Sequence, residues 1–408
     1  MSFENTTHIQ ATTAGSLPRT PELIAANAAR PIAEDGFTLE TTDEVRALTS
    51  AAVDDIVARQ NRLGITQPGD GEFGKAMSSS VDYGAWWGYS FQRVSGLSLT
   101  EENVFTQEPV RSEPGKVRLT SFPDRRDRSI FNEAYSDPTS GIATGKIATA
   151  FPTTTGPISY IGQEAARTDA ANLTHAVEEA GSANGFITAL SPGSAARIAN
   201  EYYATEEEHI WAWADALREE YQIVLDAGLI LQIDDPSIAE NYDQINPEPS
   251  LEDYQAFTRI RVEALNHALR GLDRSRVRFH LCWGSWHGPH TTDIELPNIV
   301  DLMLDIDAGA YSFEAANARH EHEWTVWQDT ALPDGKVIVP GVVGHATNVV
   351  EHPDLVAQRI ERFASVVGRE RVIAGTDCGL GGRVHPQIAA AKLESLGEGA
   401  RRASAKLF

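Results

Sequence analysis

The stretch TEEEHIWAWADALREEYQIVLDAGLILQIDDP, residues 205–236, contains one helix followed by one strand. Thr205 and Glu208 have the spacing of a capping box, which predicts that a helix begins here. The apolar residues after the box recur at helical spacing: Ile210, Trp213, Leu217, Tyr221 and Val224. Gly228 is typical of a helix end, and the apolar run 229–236 predicts a buried strand that ends in two carboxylates. This stretch therefore predicts a helix that covers a buried sheet.

The same alternation continues to the C-terminus. Helical patterns near 251–270 and 353–367 separate further β-rich runs, at 277–283, 310–315, 336–341 and 371–379. Alternation of this kind predicts α/β architecture, with a parallel sheet covered by helices. Three earlier runs are additional strand candidates, at 9–15, 65–72 and 146–151. With the five later strands they make eight, the number that a (β/α)8 TIM barrel requires.

A ninth run, FITALSP at 186–192, exceeds that number, so one candidate is an insertion or a misassignment. Segment 84–140 is rich in Gly, Pro, Ser and aromatic residues and lacks the alternation. We predict that residues 1–408 form a single TIM-barrel catalytic domain. Segment 84–140 is then an insertion after the second strand, either a lid or a contact in a homo-oligomer.

Composition narrows the class of protein. The chain has 408 residues, with 34 Lys and Arg against 58 Asp and Glu, and a net charge of −24. This excess of negative charge argues against nucleic-acid and anionic-membrane partners. The two cysteines are too few for a secreted disulfide scaffold. The N-terminus does not resemble a signal peptide, and no apolar run reaches about 18 residues. We expect a cytoplasmic protein that acts on small molecules.

Polar residues occur repeatedly at the C-terminal ends of the predicted strands, where a buried core would disfavour them. They are Asp70, Glu72, Asp234, Asp235, His280, Cys282, Glu314, His345 and Cys378. In a (β/α)8 barrel these strand ends face a common mouth, where active sites are built. The pattern therefore predicts one shared site.

Four of these residues indicate a metal. His280 and Cys282 are two apart on one strand, so their side chains point to the same face. Glu314 and Cys378 lie at the same level on two other strands. Imidazole, thiolate and carboxylate together suit Zn²⁺. Spacing alone leaves open that both cysteines are small buried apolar residues. Their position at strand ends favours zinc.

Seven motifs, taken in order, resemble the C-terminal catalytic barrel of cobalamin-independent methionine synthases and their single-barrel relatives. They are TAGSLPRT (13–20), GDGEFGK (69–75), LQIDDP (231–236), HLCWG (280–284), SFEAAN (312–317), VIVPGVVGH (337–345) and GTDCG (375–379). The resemblance implies a zinc ion held by His280, Cys282, Glu314 and Cys378. It also implies that an acceptor thiol binds this zinc as a thiolate, since a coordinated thiol is deprotonated. Glu314 is the ligand expected to loosen when the thiol arrives.

The resemblance implies further roles. His345 matches a histidine that donates a proton to the leaving group, and Asp234 matches a carboxylate that holds the amino group of an amino-acid thiol. Ser16 and Glu72 match neighbouring substrate contacts. Asp235 stands where the family has a glutamate, so its carboxylate is shorter by one methylene. The structural alternatives are a hydrogen-bonded rim histidine, helix caps and solvated loop ends. The loop histidines offer a second metal site or are simply polar: His287, His290, His320 and His322.

The chain also departs from the family. It has the length of one barrel, whereas long methionine synthases resemble two fused barrels. After GPIS (156–159), Gln163 stands where an aromatic residue that stacks on the pterin of methylfolate is expected. A folate donor is therefore in doubt. Trp86, Trp87 and Tyr89 offer a substitute platform or seal the insertion against the barrel.

Four functions compete. The leading one is a zinc-dependent transferase that moves a methyl or other alkyl group to a zinc-bound thiolate. The second opens an epoxide with a thiol such as coenzyme M, as epoxyalkane:coenzyme M transferases do, with Arg19, Arg319 and Arg383 as candidates to hold the sulfonate. The third is a non-catalytic barrel that binds zinc or a thiol. The fourth is a metal-free decarboxylase of the uroporphyrinogen type, which the His-x-Cys motif disfavours.

Overall fold

The computed structural model describes residues 3–82, 84–142 and 150–408. Its strands are β1 (Leu97–Ser98), β2 (Thr153–Thr154), β3 (Phe186–Leu190), β4 (Ile230–Asp235), β5 (Val277–Leu281), β6 (Ala310–Phe313), β7 (Val337–Val343) and β8 (Gly375–Thr376). Strands β3 to β8 form one curled parallel sheet in chain order. The short strands β1 and β2 pair antiparallel outside it. The predicted α/β architecture with a parallel sheet is confirmed.

Two N-terminal segments connect the two ends of this sheet. Three isolated parallel bridges involve them: Ala11 to Ala374, Thr12 to Gln67, and Gly69 to Phe186. The strand candidates 9–15 and 65–72 are therefore bridged segments rather than continuous strands. The sequence PGDG at 68–71 explains part of this, because proline lacks the N–H that a ladder needs and glycine weakens a strand.

The ninth strand candidate, 186–192, supplies β3 and belongs to the sheet. It pairs with β4 from Phe186 opposite Ile230 to Leu190 opposite Asp234. The candidate at 146–151 lies largely outside the described residues, and Phe151 at its end is not in a strand.

The described residues also form thirteen α-helices. They are α1 (Pro21–Ala28), α2 (Asp43–Arg62), α3 (Ala85–Phe91), α4 (Arg126–Ile130), α5 (Asn132–Ser136), α6 (Gln163–Ala180), α7 (Pro192–Ala195), α8 (Glu206–Asp226), α9 (Leu251–Leu269), α10 (Val300–Leu304), α11 (Val326–Asp329), α12 (Pro353–Val367) and α13 (Pro386–Leu407). The helices expected near 251–270 and 353–367 are α9 and α12. Across the described ranges, no helix combines the length and the apolar character needed to cross a bilayer.

Helix α8 shows how the sequence attaches a helix to the sheet. The Glu208 N–H donates to Thr205 Oγ1 at 3.1 Å, which confirms the predicted N-terminal cap. Trp213 and Tyr221 are fully buried. The Tyr221 hydroxyl donates to the carbonyl of Leu190 at the end of β3. This hydroxyl on the buried face of the helix thus ties α8 to the end of β3.

Segment 84–140 contains only short elements and is anchored by aromatic packing. The Trp87 ring lies 5.8 Å from Phe91, 5.9 Å from Phe122 and 5.0 Å from Phe151 between centroids. The Tyr89 hydroxyl accepts from the Leu190 N–H at 3.0 Å, which joins the segment to β3. Its status as an insertion in a single domain stays a prediction.

Candidate metal centre and active site

Three metal-type side chains converge at the C-terminal end of the sheet. His280 lies in β5, Cys282 directly follows β5, and Cys378 follows β8. Their ligand atoms all lie within 4.8 Å of one another, and the two sulfur atoms are 3.8 Å apart. The period of two along a strand brings His280 and Cys282 to the same side. We call these residues the sulfur cluster.

The sulfur cluster fits a zinc ion. His280 Nδ1 lies 3.0 Å from the hydroxyl of Ser312, its register partner in β6. His280 Nε2 is buried and has no hydrogen-bond partner among the described residues. A metal ion at the sulfur cluster would satisfy this buried atom. One imidazole and two sulfur atoms are characteristic zinc ligands, and a hydroxyl on the other ring nitrogen orients such a histidine.

The two cysteines affect each other's pKa through the hydrogen bond between them. This bond, together with burial, raises the pKa of Cys282 well above its usual range. The same bond lowers the pKa of Cys378 well below its usual range. The hydrogen bond therefore favours the thiolate form of Cys378, the form in which a cysteine binds a metal.

Glu314 lies next to the sulfur cluster, in a second cluster with His345 and Asp377. The ligand atoms of these three buried residues lie within 4.8 Å of one another. The Trp283 N–H donates to Glu314 Oε1 at 3.2 Å, and Asn317 Nδ2 donates to Glu314 Oε2 at 2.8 Å. Burial and the Asp377 carboxylate raise the pKa of Glu314 well above its usual range. The structure thus groups three of the four predicted zinc ligands and places the fourth beside them.

Asp377 is a buried carboxylate that the sequence analysis did not single out. Its Oδ1 accepts from the N–H groups of Ala315 at 2.7 Å and Ala316 at 2.8 Å. Burial raises its pKa to about 6. Its position directly before Cys378, at a strand end, is the signal that marks it in the sequence.

His345 follows β7 and is 2% exposed. Burial lowers its pKa to about 4; Cys378 opposes this effect and the cation of Arg383 adds to it. The Nδ1 atom is buried and has no hydrogen-bond partner within the described ranges. The imidazole is therefore neutral at neutral pH and keeps one ring nitrogen available.

A cavity of about 320 Å³ opens at the sulfur cluster and contains three of the predicted substrate contacts: Ser16, Glu72 and Asp234. Gln232 Nε2 donates to Asp234 Oδ1 at 2.6 Å. Burial raises the pKa of Asp234 to about 7. Thr188 Oγ1 donates to Glu72 Oε1 at 2.6 Å. This side of the cavity therefore contains two carboxylates, and each accepts a hydrogen bond from a neighbouring side chain.

Asp235, the next residue along β4, points elsewhere. Its Oδ1 accepts from Ser194 Oγ at 2.9 Å, from the Ser237 N–H at 2.9 Å and from Ser237 Oγ at 2.5 Å. It is fully buried and does not line the cavity. Successive side chains of a strand face opposite sides, so Asp234 and Asp235 cannot both reach the same ligand.

Another part of the cavity lining consists of aromatic and arginine side chains, most of them from segment 84–140. It includes Trp86, Trp87, Phe105, Phe122, Arg125, Arg128, Tyr135, Phe151, Arg197, Trp286 and Arg383. Arg125 lies 4.2 Å from the Trp286 ring centroid. It also pairs with Glu240 at 2.7 Å and Asp243 at 2.8 Å. The sequence predicted only the tryptophans of the segment and Arg383. Local patterns do not show that the segment meets Phe151, Arg197 and Trp286, which lie elsewhere in the chain.

Two of the other candidate histidines, His290 and His320, belong to a hydrogen-bonded network. His290 and His320 both contact Asp293 Oδ2, at 3.1 and 3.3 Å. His320 Nδ1 also lies 2.8 Å from Glu323 Oε2. Within the described ranges, no metal-type cluster includes the four loop histidines.

The remaining sequence-predicted positions are spread out. Arg383 lines the cavity, whereas Arg319 lines a neighbouring one that also contains His345. Arg19 is buried and donates to Ser16 Oγ at 2.8 Å, so it supports the loop rather than the cavity. Gln163 begins α6 and donates to Glu219 Oε2 at 2.7 Å, away from the cavity.

Comparisons with known proteins place the chain among enzymes of one kind. Residues 152–401, more than half of the chain, match the family model described as cobalamin-independent synthase, catalytic domain. A methionine synthase from Thermococcus kodakarensis is 27% identical over 184 residues, 44% of this chain and 46% of that protein. A 2-hydroxypropyl-CoM lyase from Xanthobacter autotrophicus is 27% identical over 175 residues, 36% of this chain and 45% of that protein. The chain matches about half the length of these curated relatives.

A solved structure shows a similar fold. The structure of a B12-independent methionine synthase from Shewanella sp. W3-18-1, in complex with selenomethionine, has a TM-score of 0.67 with this chain. The two are 18% identical, over 98% of this chain and 99% of the other.

Proposed function

Because the chain belongs to the family of cobalamin-independent synthase catalytic domains, we propose that it is a zinc-dependent enzyme that transfers a methyl or other alkyl group to a thiol. The observation that carries this proposal is that His280, Cys282 and Cys378 meet at a cavity that also contains Asp234. A thiol-activating centre and a site for a polar acceptor are therefore next to each other.

The proposed scaffold is a complete (β/α)8 barrel in one domain, residues 1–408. The bridges at Ala11 and Gly69 support it, since they link the two N-terminal segments to the two ends of the six-strand sheet. Segment 84–140 is then the insertion that supplies the aromatic wall of the cavity. A cytoplasmic location and a homo-oligomer remain predictions.

In this proposal His280, Cys282 and Cys378 hold the zinc, and Glu314 is a fourth, exchangeable ligand. Zinc bound there would lower the pKa of a coordinated thiol, so that the thiol is a thiolate at neutral pH. The carboxylate is the hardest donor of the set, so it is the ligand that a soft thiolate replaces most readily.

Asp234, Glu72 and Ser16 receive the polar end of the acceptor. Asp234 stands opposite His280 in the β4–β5 register, so one small molecule can contact both strand ends. A carboxylate at this position suits the ammonium group of an amino-acid thiol such as homocysteine.

His345 is the proposed proton donor. During transfer a bond forms between the acceptor sulfur and the alkyl carbon, and the bond from that carbon to the leaving atom breaks. The leaving atom gains the electron pair and takes a proton. His345 would give this proton from its imidazolium form, which its lowered pKa makes a readily dissociating acid, and would return to the neutral imidazole.

The donor occupies the aromatic side of the cavity. A volume of about 320 Å³ is at the small end for ligand sites. Gln163 offers no aromatic face and does not line this cavity. We therefore propose a compact donor rather than a polyglutamated methylfolate bound as in the long methionine synthases.

Epoxide opening is a second candidate function, favoured by two observations. One relative is named 2-hydroxypropyl-CoM lyase, and Arg383 lines the cavity, where its cation suits a sulfonate. In this reaction the thiol sulfur bonds to an epoxide carbon, the carbon–oxygen bond breaks, and His345 protonates the oxygen.

A matrix of substrates separates these functions. Zinc-loaded protein is incubated with homocysteine or coenzyme M, each with methyl iodide, methylfolate triglutamate or epoxypropane, and products are identified by mass spectrometry. Methylation of homocysteine above the rate of a Cys378→Ser control supports the proposal, and hydroxypropylation of coenzyme M supports the second candidate. Zinc and thiol binding without any accelerated product would indicate the non-catalytic barrel, and protein without zinc would contradict the metal centre.

A further inference from the structure

Asn317 lies between two buried carboxylates next to the sulfur cluster. Its Nδ2 donates to Glu314 Oε2 at 2.8 Å and to Asp377 Oδ2 at 3.2 Å. One amide group therefore bridges two side chains that would otherwise repel each other. Asn317 belongs to the SFEAAN motif, but neither the sequence analysis nor the proposed mechanism uses it.

The backbone determines which way this amide faces. Asn317 Oδ1 accepts from the N–H groups of Arg319 at 2.9 Å and His320 at 3.1 Å. Because the oxygen is occupied by two donors, the NH₂ group must face the carboxylates. Turning the amide around would lose both backbone bonds and would place its oxygen against Glu314.

Asp377 forms a fixed partner for this amide. Its Oδ1 is held by the N–H groups of Ala315 and Ala316. Gly341 packs so closely on Asp377 that a Cβ atom there would collide with the carboxylate. Three donors, two from the backbone and one from Asn317, thus occupy Asp377, which leaves it poorly suited to bind a second metal.

We infer that Asn317 and the Trp283 N–H form a resting site for the Glu314 carboxylate, that Asp377 holds the Asn317 amide in place, and that Glu314 would occupy this site when an acceptor thiol takes its place on the zinc. This inference rests on the proposed function, since it needs both the metal and the thiol. In the structure both Glu314 oxygens already have donors, the Trp283 N–H and Asn317 Nδ2. A carboxylate that leaves a metal for such a site is not left buried without partners. Asn317 is thus a positioning residue that favours thiol binding.

The test compares substitutions that remove the Nδ2 hydrogen-bond donor of Asn317 in different ways. Asn317→Asp keeps an oxygen for the backbone N–H groups but replaces the NH₂ group with a carboxylate. Asn317→Ser keeps a small hydroxyl near the turn but is too short to reach Glu314, and it adds no charge. Gln328→Glu is the control, because it adds the same charge at an exposed position that lines neither cavity. Each substitution is also made in a Glu314→Gln background.

Three measurements are made on purified full-length protein. Zinc affinity is measured by competition with a chelator. Homocysteine affinity is measured by titration of the zinc form. The visible spectrum of the Co²⁺ form is recorded with and without homocysteine, because it reports replacement of an oxygen ligand by sulfur.

We expect Asn317→Asp and Asn317→Ser to bind homocysteine about ten-fold or more weakly, as expected for loss of a hydrogen bond to a charged group. Their zinc affinity without thiol should be equal or higher, since Glu314 stays on the metal. In the Glu314→Gln background the two substitutions should have little further effect, which a merely structural role would not produce. Gln328→Glu should match the unaltered protein.

Several results would overturn the inference: unchanged thiol affinity in both Asn317 variants, an equal loss in the Glu314→Gln background, or loss of zinc from Asn317→Ser. Absence of zinc from the unaltered protein would overturn the proposed function as well. Zinc and thiol binding without coupling between Asn317 and Glu314 would overturn this inference alone.

Discussion

The Asp234→Asn substitution removes one negative charge from the acceptor end of the cavity and changes little else. Asp234 is 9% exposed and accepts a hydrogen bond from Gln232 at 2.6 Å. Asparagine has nearly the same shape, and its oxygen can accept the same bond. We therefore expect the substituted protein to fold and to keep its zinc, but to bind homocysteine weakly.

The size of the effect follows from the burial of Asp234. A hydrogen bond to a charged group contributes about 1.5–3 kcal/mol, which corresponds to about 10–150-fold in affinity. The loss should be specific for thiols that carry an amino group. Coenzyme M has a sulfonate and no ammonium group, so removal of the charge should leave its affinity unchanged or improve it.

The same carboxylate predicts a dependence on pH. Burial raises the pKa of Asp234 to about 7, so its ionised fraction falls as the pH decreases through this value. The affinity for homocysteine should decrease in the same range, because the ammonium group loses its anionic partner. Asp234→Asn should remove this component of the pH profile, while coenzyme M should not show it in either protein.

Calorimetric titration of zinc-loaded protein with each thiol measures these effects, and Asp235→Asn is the comparison. Asp235 faces the other side of β4, where it accepts from Ser194 and Ser237. Its substitution should lower stability by about 1–3 kcal/mol, measured as thermal unfolding, and leave homocysteine affinity unchanged. Equal losses for both thiols in Asp234→Asn, or a homocysteine defect confined to Asp235→Asn, would refute the assignment of Asp234 as the amine site.

Three further predictions concern the metal, the acid and the donor. Cys282→Ser and Cys378→Ser should each lose tightly bound zinc, measured by elemental analysis, and with it thiol alkylation; retention of full zinc by both would remove these residues from the site. His345→Asn should keep zinc and thiol binding but turn over about ten-fold or more slowly, because only protonation of the leaving group is impaired. Unchanged single-turnover rates would exclude His345 as the acid. Methylfolate triglutamate should not bind in the micromolar range, and micromolar binding coupled to methylation of homocysteine would contradict the proposed compact donor.

The α/β class and much of the metal cluster could be predicted from the sequence, because both depend on local periodicity. The cap at Thr205 and the helical repeat after it determine α8 from contacts within a few residues. The period of two determines that His280 and Cys282 share one face of β5. The same period directs the side chains of Asp234 and Asp235 to opposite sides of β4, although we had predicted that both bind the substrate.

The tertiary structure alone decided which strand candidate enters the sheet. Residues 186–190, which exceed the expected eight strands, pair with β4 along their whole length. The tertiary structure also decided the position of Glu314, because hydrogen bonds from Trp283 and Asn317 fix its carboxylate. Local patterns contain no information on either choice.

The cavity wall shows most clearly what local sequence patterns cannot predict. Arg125 and Glu240 form one of its ion pairs although they lie 115 positions apart in the chain. The two cysteines meet across 96 positions. Periodicity indicates which side of an element a residue occupies, but it does not indicate which distant side chain it meets. That depends on how the curled sheet and segment 84–140 pack together, since the energy of a buried charge or an aromatic contact depends on all of its neighbours in space.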